Sequence, residues 1–285
     1  MGGARKVLGF VLAAALASGI AAPAAAQRSE PLPKQLEGVG IEEHPGAQVP
    51  VDLEFTAEDG TPVRLSRYIS GTRPVILTLN YYRCPMLCTL LLNGLVDGLK
   101  ALAWTPGKDF EVVTLSIDPL ETPALAMLKK ESYISEFGRP AAAAGWHFLT
   151  GKEKNIRALA DSVGFSYRYD EERQQYAHAA GIFLLTPHGR VARVLYGVTF
   201  EPRTLKLALT EAGNGKVGST ADQVLLYCYH YDANAGRYVV AASNIMRLGG
   251  AATALVVGIW LAAAWRRGTR PHAHARPEPH GPAVG

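Results

Sequence analysis

The sequence predicts an α/β domain that opens with a β-hairpin and is followed by one C-terminal transmembrane helix. Three observations predict it. Apolar runs of strand length at 74–80 and 111–117 are each followed by a stretch of helical character. Two short alternating segments flank Asp59-Gly60, and the 18 residues from Leu248 to Trp265 carry no charge.

The elements come in order. Val51 to Thr56 alternates as a half-buried strand, Asp59-Gly60 supplies a turn, and Val63-Arg64-Leu65 resumes the alternation, so this stretch reads as a hairpin. Pro74 to Asn80 is apolar enough for a central strand buried on both faces. After Cys84 and Cys88, Leu90, Leu91, Leu95, Val96 and Leu99 recur at helical spacing up to Ala103, before Pro106-Gly107 breaks the chain. Glu111 to Ile117 is a second buried strand ended by Asp118-Pro119, and 123–137 is expected as a helix. Trp146 to Thr150 reads as a short strand, and Lys152 to Val163 as an amphipathic helix stopped by Gly164. Ala180 to Leu185 and Val191 to Leu195 flank the turn Thr186-Pro187-His188-Gly189 as a second hairpin, and a last helix runs from Pro202 to Ala212. Alternation of this kind implies a sheet with helices on its faces.

The flanks of this domain, taken as residues 51–213, read as membrane signals. Arg5 and Lys6, the apolar run Val7 to Ala22, and Ala24-Ala25-Ala26 before Gln27 predict a signal peptide over residues 1–26 that directs export of the domain. Residues 27–50, rich in Pro, Gly and Glu without a period, are expected to be an extended linker. Residues 214–245 form a juxtamembrane segment, 246–266 the membrane helix, and 267–285 a short tail. Trp260 and Trp265 suit the interface, and Arg266, Arg267 and Arg270 put the tail in the cytoplasm by the positive-inside rule. The domain is thus expected in the periplasm of a bacterium, on a single-pass inner-membrane anchor.

Removing the 2 basic residues of 1–27 and the 4 basic and 1 acidic of 248–285 from the chain's 29 and 25 leaves 23 basic against 24 acidic residues. That balance provides no basic footprint for nucleic acid.

The chemistry concentrates in Cys84-Pro85-Met86-Leu87-Cys88. The pair follows a buried strand where a helix starts, and a helix N-terminus favours thiolate, the species that binds metal or attacks disulfides. With three residues between them, both sulfurs are expected on one helical face, with Pro85 in the first turn. A structural disulfide is an alternative, although so short a loop adds little stability. A redox dithiol is another, usually with two intervening residues rather than three. His178 stands at a loop end immediately before a buried strand, able to face the sulfurs. Two thiolates and an imidazole suit copper, as Cu(I) or Cu(II).

Taken together, these pieces resemble the Sco/SenC family of copper proteins, which assist assembly of the dinuclear copper centre of cytochrome c oxidase. They are Asp59-Gly60, Asn80 to Cys88, Ser116-Ile117-Asp118-Pro119, Trp146 to Gly151 and Tyr176-Ala177-His178. The resemblance implies a thioredoxin-like fold and copper ligation by Cys84, Cys88 and His178. It also implies a metallochaperone, not an enzyme, that delivers copper to the copper-containing subunit of the oxidase, alongside other copper or thiol-redox proteins. The alternative is a thiol-disulfide oxidoreductase that uses Cys84 and Cys88 to reduce that subunit's cysteines. A thiol peroxidase would need a polar pocket, to which only Arg83 offers a contribution. The sequence departs from the family at Met86, where an acid is usual, and at Thr89, where proline is common; its anchor also follows the domain.

Other metal donors lie outside this pattern. Cys228 and His230, alternating on an expected strand, form a second candidate pair. Met86 and His147 are expected to be packing and strand residues, and His272, His274 and His280 belong to the tail.

Overall fold

The computed structural model describes residues 38–213, 229–232, 237–240 and 242–268. The expected signal peptide, Cys228 and the tail histidines lie outside the described residues.

The core of the domain is a five-stranded sheet. Its strands are β4 (Val75–Asn80), β5 (Glu111–Ser116), β6 (Trp146–Leu149), β9 (Gly181–Leu185) and β10 (Val191–Tyr196), in the order β10-β9-β4-β5-β6. The three strands β4, β5 and β6 run parallel, while β9 runs antiparallel to both β4 and β10. Four helices accompany them: α1 (Leu87–Lys100), α2 (Pro123–Phe137), α3 (Glu153–Ser162) and α4 (Pro202–Ala212).

Strand periodicity sorts the core into two layers. Val75, Leu77, Leu79, Val113, Leu115, Phe183 and Leu185 face Ile156 and Leu159 of α3. Their neighbours Ile76, Val112, Phe148, Ile182 and Leu184 face Leu91 and Leu95 of α1, Tyr133 of α2 and Leu205 of α4. Because both faces are covered, these strands read as unbroken apolar runs rather than alternating ones. The start of α2 is set by Thr122, whose side chain accepts from the Leu125 N–H, with Pro123 in the first turn; Gly138, at φ 73°, closes it in the left-handed region.

The expected first hairpin is present as β2 (Glu54–Thr56) and β3 (Pro62–Arg64), with Gly60 at φ 84° in the turn. The segment expected to be an extended linker is in part tied to the domain from Gly40 onward. Gly40–Ile41 forms β1, and Val49 is fully buried. β1 pairs with an unpredicted hairpin, β7 (Phe165–Asp170) and β8 (Gln175–His178), in a separate three-stranded sheet of order β1-β7-β8.

Beyond the domain, β11 (Tyr229–Asp232) pairs antiparallel with β12 (Arg237–Val240). α5 (Ala242–Gly268) contains the window Met246–Ala263, long and apolar enough to cross a membrane by length and composition, with every side chain in it exposed.

Candidate metal centre

The central strand β4 carries the chain to the end of the sheet where the parallel strands have their C-termini, and Tyr81 to Met86 turn it into α1. Cys84 lies in this turn, outside the helix, and Cys88 is the second residue of α1. The i,i+4 helical face expected from spacing is therefore not what unites the sulfurs, and Pro85 precedes the helix rather than joining its first turn. The loop instead folds back on Cys84: the Cys88 N–H donates to Cys84 Sγ at 3.3 Å. A sulfur thereby takes up one of the amide hydrogens that a helix start leaves unpaired, in a position where no side-chain oxygen caps α1.

His178 ends β8, a strand rather than the expected loop. Its Nε2 lies 3.2 Å from Cys88 Sγ, and its Nδ1 is 2.9 Å from the Ala179 carbonyl. Nδ1–H donating to that carbonyl leaves the Nε2 lone pair facing the thiols, the arrangement that suits a metal-binding imidazole. Cys84, Cys88 and His178 are all buried, with their ligand atoms within 4.8 Å of one another. Ligand atoms around one ion with bonds of ~2.0–2.3 Å lie roughly 3–4 Å apart, so the cluster fits a single metal with small adjustment. Two sulfurs and one imidazole nitrogen suit a soft ion.

The two thiols differ electrically. Hydrogen bonding from the Cys88 thiol chiefly, with the Cys88 and Met86 amides, pulls the Cys84 thiol down to about 3. Burial, followed by the neighbouring Cys84 sulfur, pushes Cys88 far up. Thiolate character is thus concentrated on Cys84.

Tyr81 and Glu121 surround the pair, and neither was singled out from sequence. The Tyr81 N–H donates to Cys88 Sγ at 3.5 Å, and its hydroxyl hydrogen-bonds Cys84. Glu121 is buried, and its carboxylate accepts from the Tyr82 N–H at 2.7 Å, the Arg83 N–H at 2.7 Å and Ser116 Oγ at 2.6 Å. Glu121 fixes the two residues immediately before Cys84. Only its closeness to the Ser116-Ile117-Asp118-Pro119 motif marked it in the sequence.

The remaining candidates separate from the centre. His147 lies on β6 against Glu111, at 3.2 Å, and stacks on Tyr68. Arg83 is exposed and lines, with Tyr81, Pro85, Tyr169 and Tyr176, a groove of about 740 Å³ beside the cysteine loop. Met86, expected to pack, is 66% exposed. His230 falls in β11, but its expected companion Cys228 is outside the described residues.

Comparison with known proteins gives a consistent picture. No curated protein matches the sequence. A candidate electron transfer protein from Aquifex aeolicus is similar in structure, with a TM-score of 0.54 at 24% identity over 60% of this chain and 95% of that one. Copper-bound ScoI structures also match. The one from Arabidopsis thaliana has 23% identity over 57% of this chain and 93% of its own, with a TM-score of 0.43. The one from Bradyrhizobium japonicum has 21% identity over 57% and 96%, with a TM-score of 0.42. The Aquifex match supports the expected thioredoxin-like α/β fold. The SCO1/SenC family model matches residues 42–212, more than half of the sequence and the whole of the sheet, the cysteine loop and His178, and on that match the chain belongs to the SCO1/SenC family.

Proposed function

We propose that this protein is a membrane-anchored copper chaperone that holds copper between Cys84, Cys88 and His178 and hands it to the copper-containing subunit of cytochrome c oxidase. Copper is its cargo. The observation that carries this reading is the convergence of two sulfurs and a histidine nitrogen, with His178 Nδ1 tied to the Ala179 carbonyl and Nε2 turned to Cys88. A redox exchanger needs the thiols but not an imidazole in that orientation. Burial of all three side chains keeps water from a bound ion and strengthens its electrostatic hold. α5 serves as the anchor, with the domain on the exported side.

The unequal thiols favour a second reading, a thiol-disulfide oxidoreductase. Cys84 thiolate would attack a partner disulfide and release one partner thiolate. Cys88, on losing its proton, would then break the mixed disulfide, leaving Cys84 and Cys88 oxidised and both partner thiols reduced.

The discriminating experiment mixes the copper-loaded full chain, in detergent, with the metal-free oxidase subunit, its cysteines either reduced or joined. A chaperone transfers copper to the reduced subunit, and His178→Ala abolishes transfer. Reduction of the joined subunit at equal rates with and without His178, in the absence of copper transfer, would replace the chaperone by the oxidoreductase.

A further inference from the structure

The three donors that converge at the cysteine loop are largely buried, with Cys84 the most open of them: Cys84, Cys88 and His178 are 9%, 3% and 7% exposed. Passing an ion from such a site to another protein by dissociation alone requires it to leave soft ligands with nothing to receive it. Ligand exchange is easier when a further donor, reachable from both sides, takes the ion before the last buried bond breaks. The loop carries one such group. Met86 stands between the two cysteines and is 66% exposed, so its thioether is presented to solvent instead of filling the core. The backbone of the same residue is tied to the centre, since the Met86 N–H supports the Cys84 sulfur.

Position and chemistry agree. Met86 is two residues from each cysteine, so with ~3.8 Å between successive Cα atoms its own Cα lies within about 7.6 Å of both. Its unbranched side chain has three rotatable bonds and adapts its shape readily. The thioether is a soft neutral ligand that selects Cu(I) and needs no deprotonation. The surroundings suit a docking partner that excludes water. Pro85 is exposed beside Met86, Leu90 one turn along α1 is 48% exposed, and Leu120 on the facing loop is 78% exposed. The other methionines among the described residues stand elsewhere: Met127 on α2 lines a separate surface groove, and Met246 belongs to α5.

We infer that Met86 is a relay ligand, through which Cu(I) enters and leaves the centre formed by Cys84, Cys88 and His178. In the outward step a bond from copper to the Met86 sulfur forms as the bond to His178 Nε2 breaks. Copper stays Cu(I), no electron moves, and the acceptor's soft ligand then displaces the buried thiolates in turn. The inference rests on the copper reading above and adds to it a route that distinguishes Cu(I) from Cu(II).

The test uses the full chain in detergent, labelled with 13C at the methionine methyl groups, and Cu(I) supplied as a chelator complex. The Met86 methyl resonance is expected to shift as diamagnetic Cu(I) is added, through the small fraction of bound metal that rests on the thioether. Because a relay lowers the barrier in both directions without changing the end states, Met86→Leu is expected to keep Cu(I) affinity within about twofold while slowing release to a competing chelator about tenfold. A leucine of similar size on an exposed site leaves the fold intact. Release at the wild-type rate from Met86→Leu, with an unmoved methyl resonance in the wild type, would overturn the relay while leaving the copper site standing. A wild-type chain that takes up no Cu(I) would overturn both.

Discussion

Cys84 and Cys88 are the same residue type four positions apart, yet their surroundings drive their thiols in opposite directions. Cys84 receives hydrogen bonds from the Cys88 thiol and two amides, which hold it down at about 3, whereas burial holds Cys88 up. Because the Cys84 value is depressed, its thiolate persists from neutral pH down into the acid range. Alkylation of the metal-free chain by iodoacetamide should therefore map to Cys84 and change little between pH 8 and 5; an ordinary thiol of pKa ~8.5 would slow about tenfold per unit. Mass spectrometry of the modified peptide checks both the site and the slope. Glu121 acts on the same loop through its carboxylate. Glu121→Gln places an amide N–H₂ among groups that already donate, and a buried donor without a partner costs about 1–3 kcal/mol. The variant is expected to unfold at correspondingly lower denaturant concentration and to bind copper more weakly. Unchanged stability and affinity would show that the Tyr82 and Arg83 amides do not need this carboxylate.

At the scale of elements, the position of Cys88 depends on how closely α1 approaches the segment before α4. A Cβ added at Gly94 would lie 1.9 Å from the Val198 carbonyl oxygen, and one at Gly98 would lie 2.5 Å from both the Phe200 oxygen and Leu205 Cδ1. In a free helix Gly→Ala stabilises by about 1 kcal/mol. Here Gly94→Ala should instead destabilise, by ~1–3 kcal/mol as overpacking does, and displace the start of α1. Thermal unfolding gives the sign directly.

The same scale explains what the sequence could and could not disclose. β4, β5 and β9 were readable because burial on both faces leaves unbroken apolar runs. The β7–β8 hairpin was hidden: its strands are joined through the charged residues Glu171-Glu172-Arg173, and the residue with positive φ is Gln174, not a glycine. β1 has only two residues, too few for any period. The candidate ligands were legible by type and family pattern, but the contact between His178 and Cys88 spans 90 residues, and Glu121 reaches Tyr82 across 39. Contacts of that range arise from topology and leave no local signature.

For the molecule as a whole, the SCO1/SenC match ends at residue 212, and α5 begins at Ala242. The domain before it carries Cys84, Cys88 and His178, and α5 contains an 18-residue window long and apolar enough to cross a membrane. The full chain is expected to sediment with membranes and to resist alkaline washing, whereas a chain ending at residue 241 should remain in the soluble fraction. Release of the full chain by washing would contradict the anchor.

The central claim is that two thiols and one histidine form a single copper site, and it is tested most directly by copper stoichiometry and absorption of the purified full chain beside His178→Ala. One copper retained per wild-type chain, with a Cu(II)-thiolate band that His178→Ala removes, is the predicted result. No retained copper, or a band and stoichiometry indifferent to His178, would contradict it.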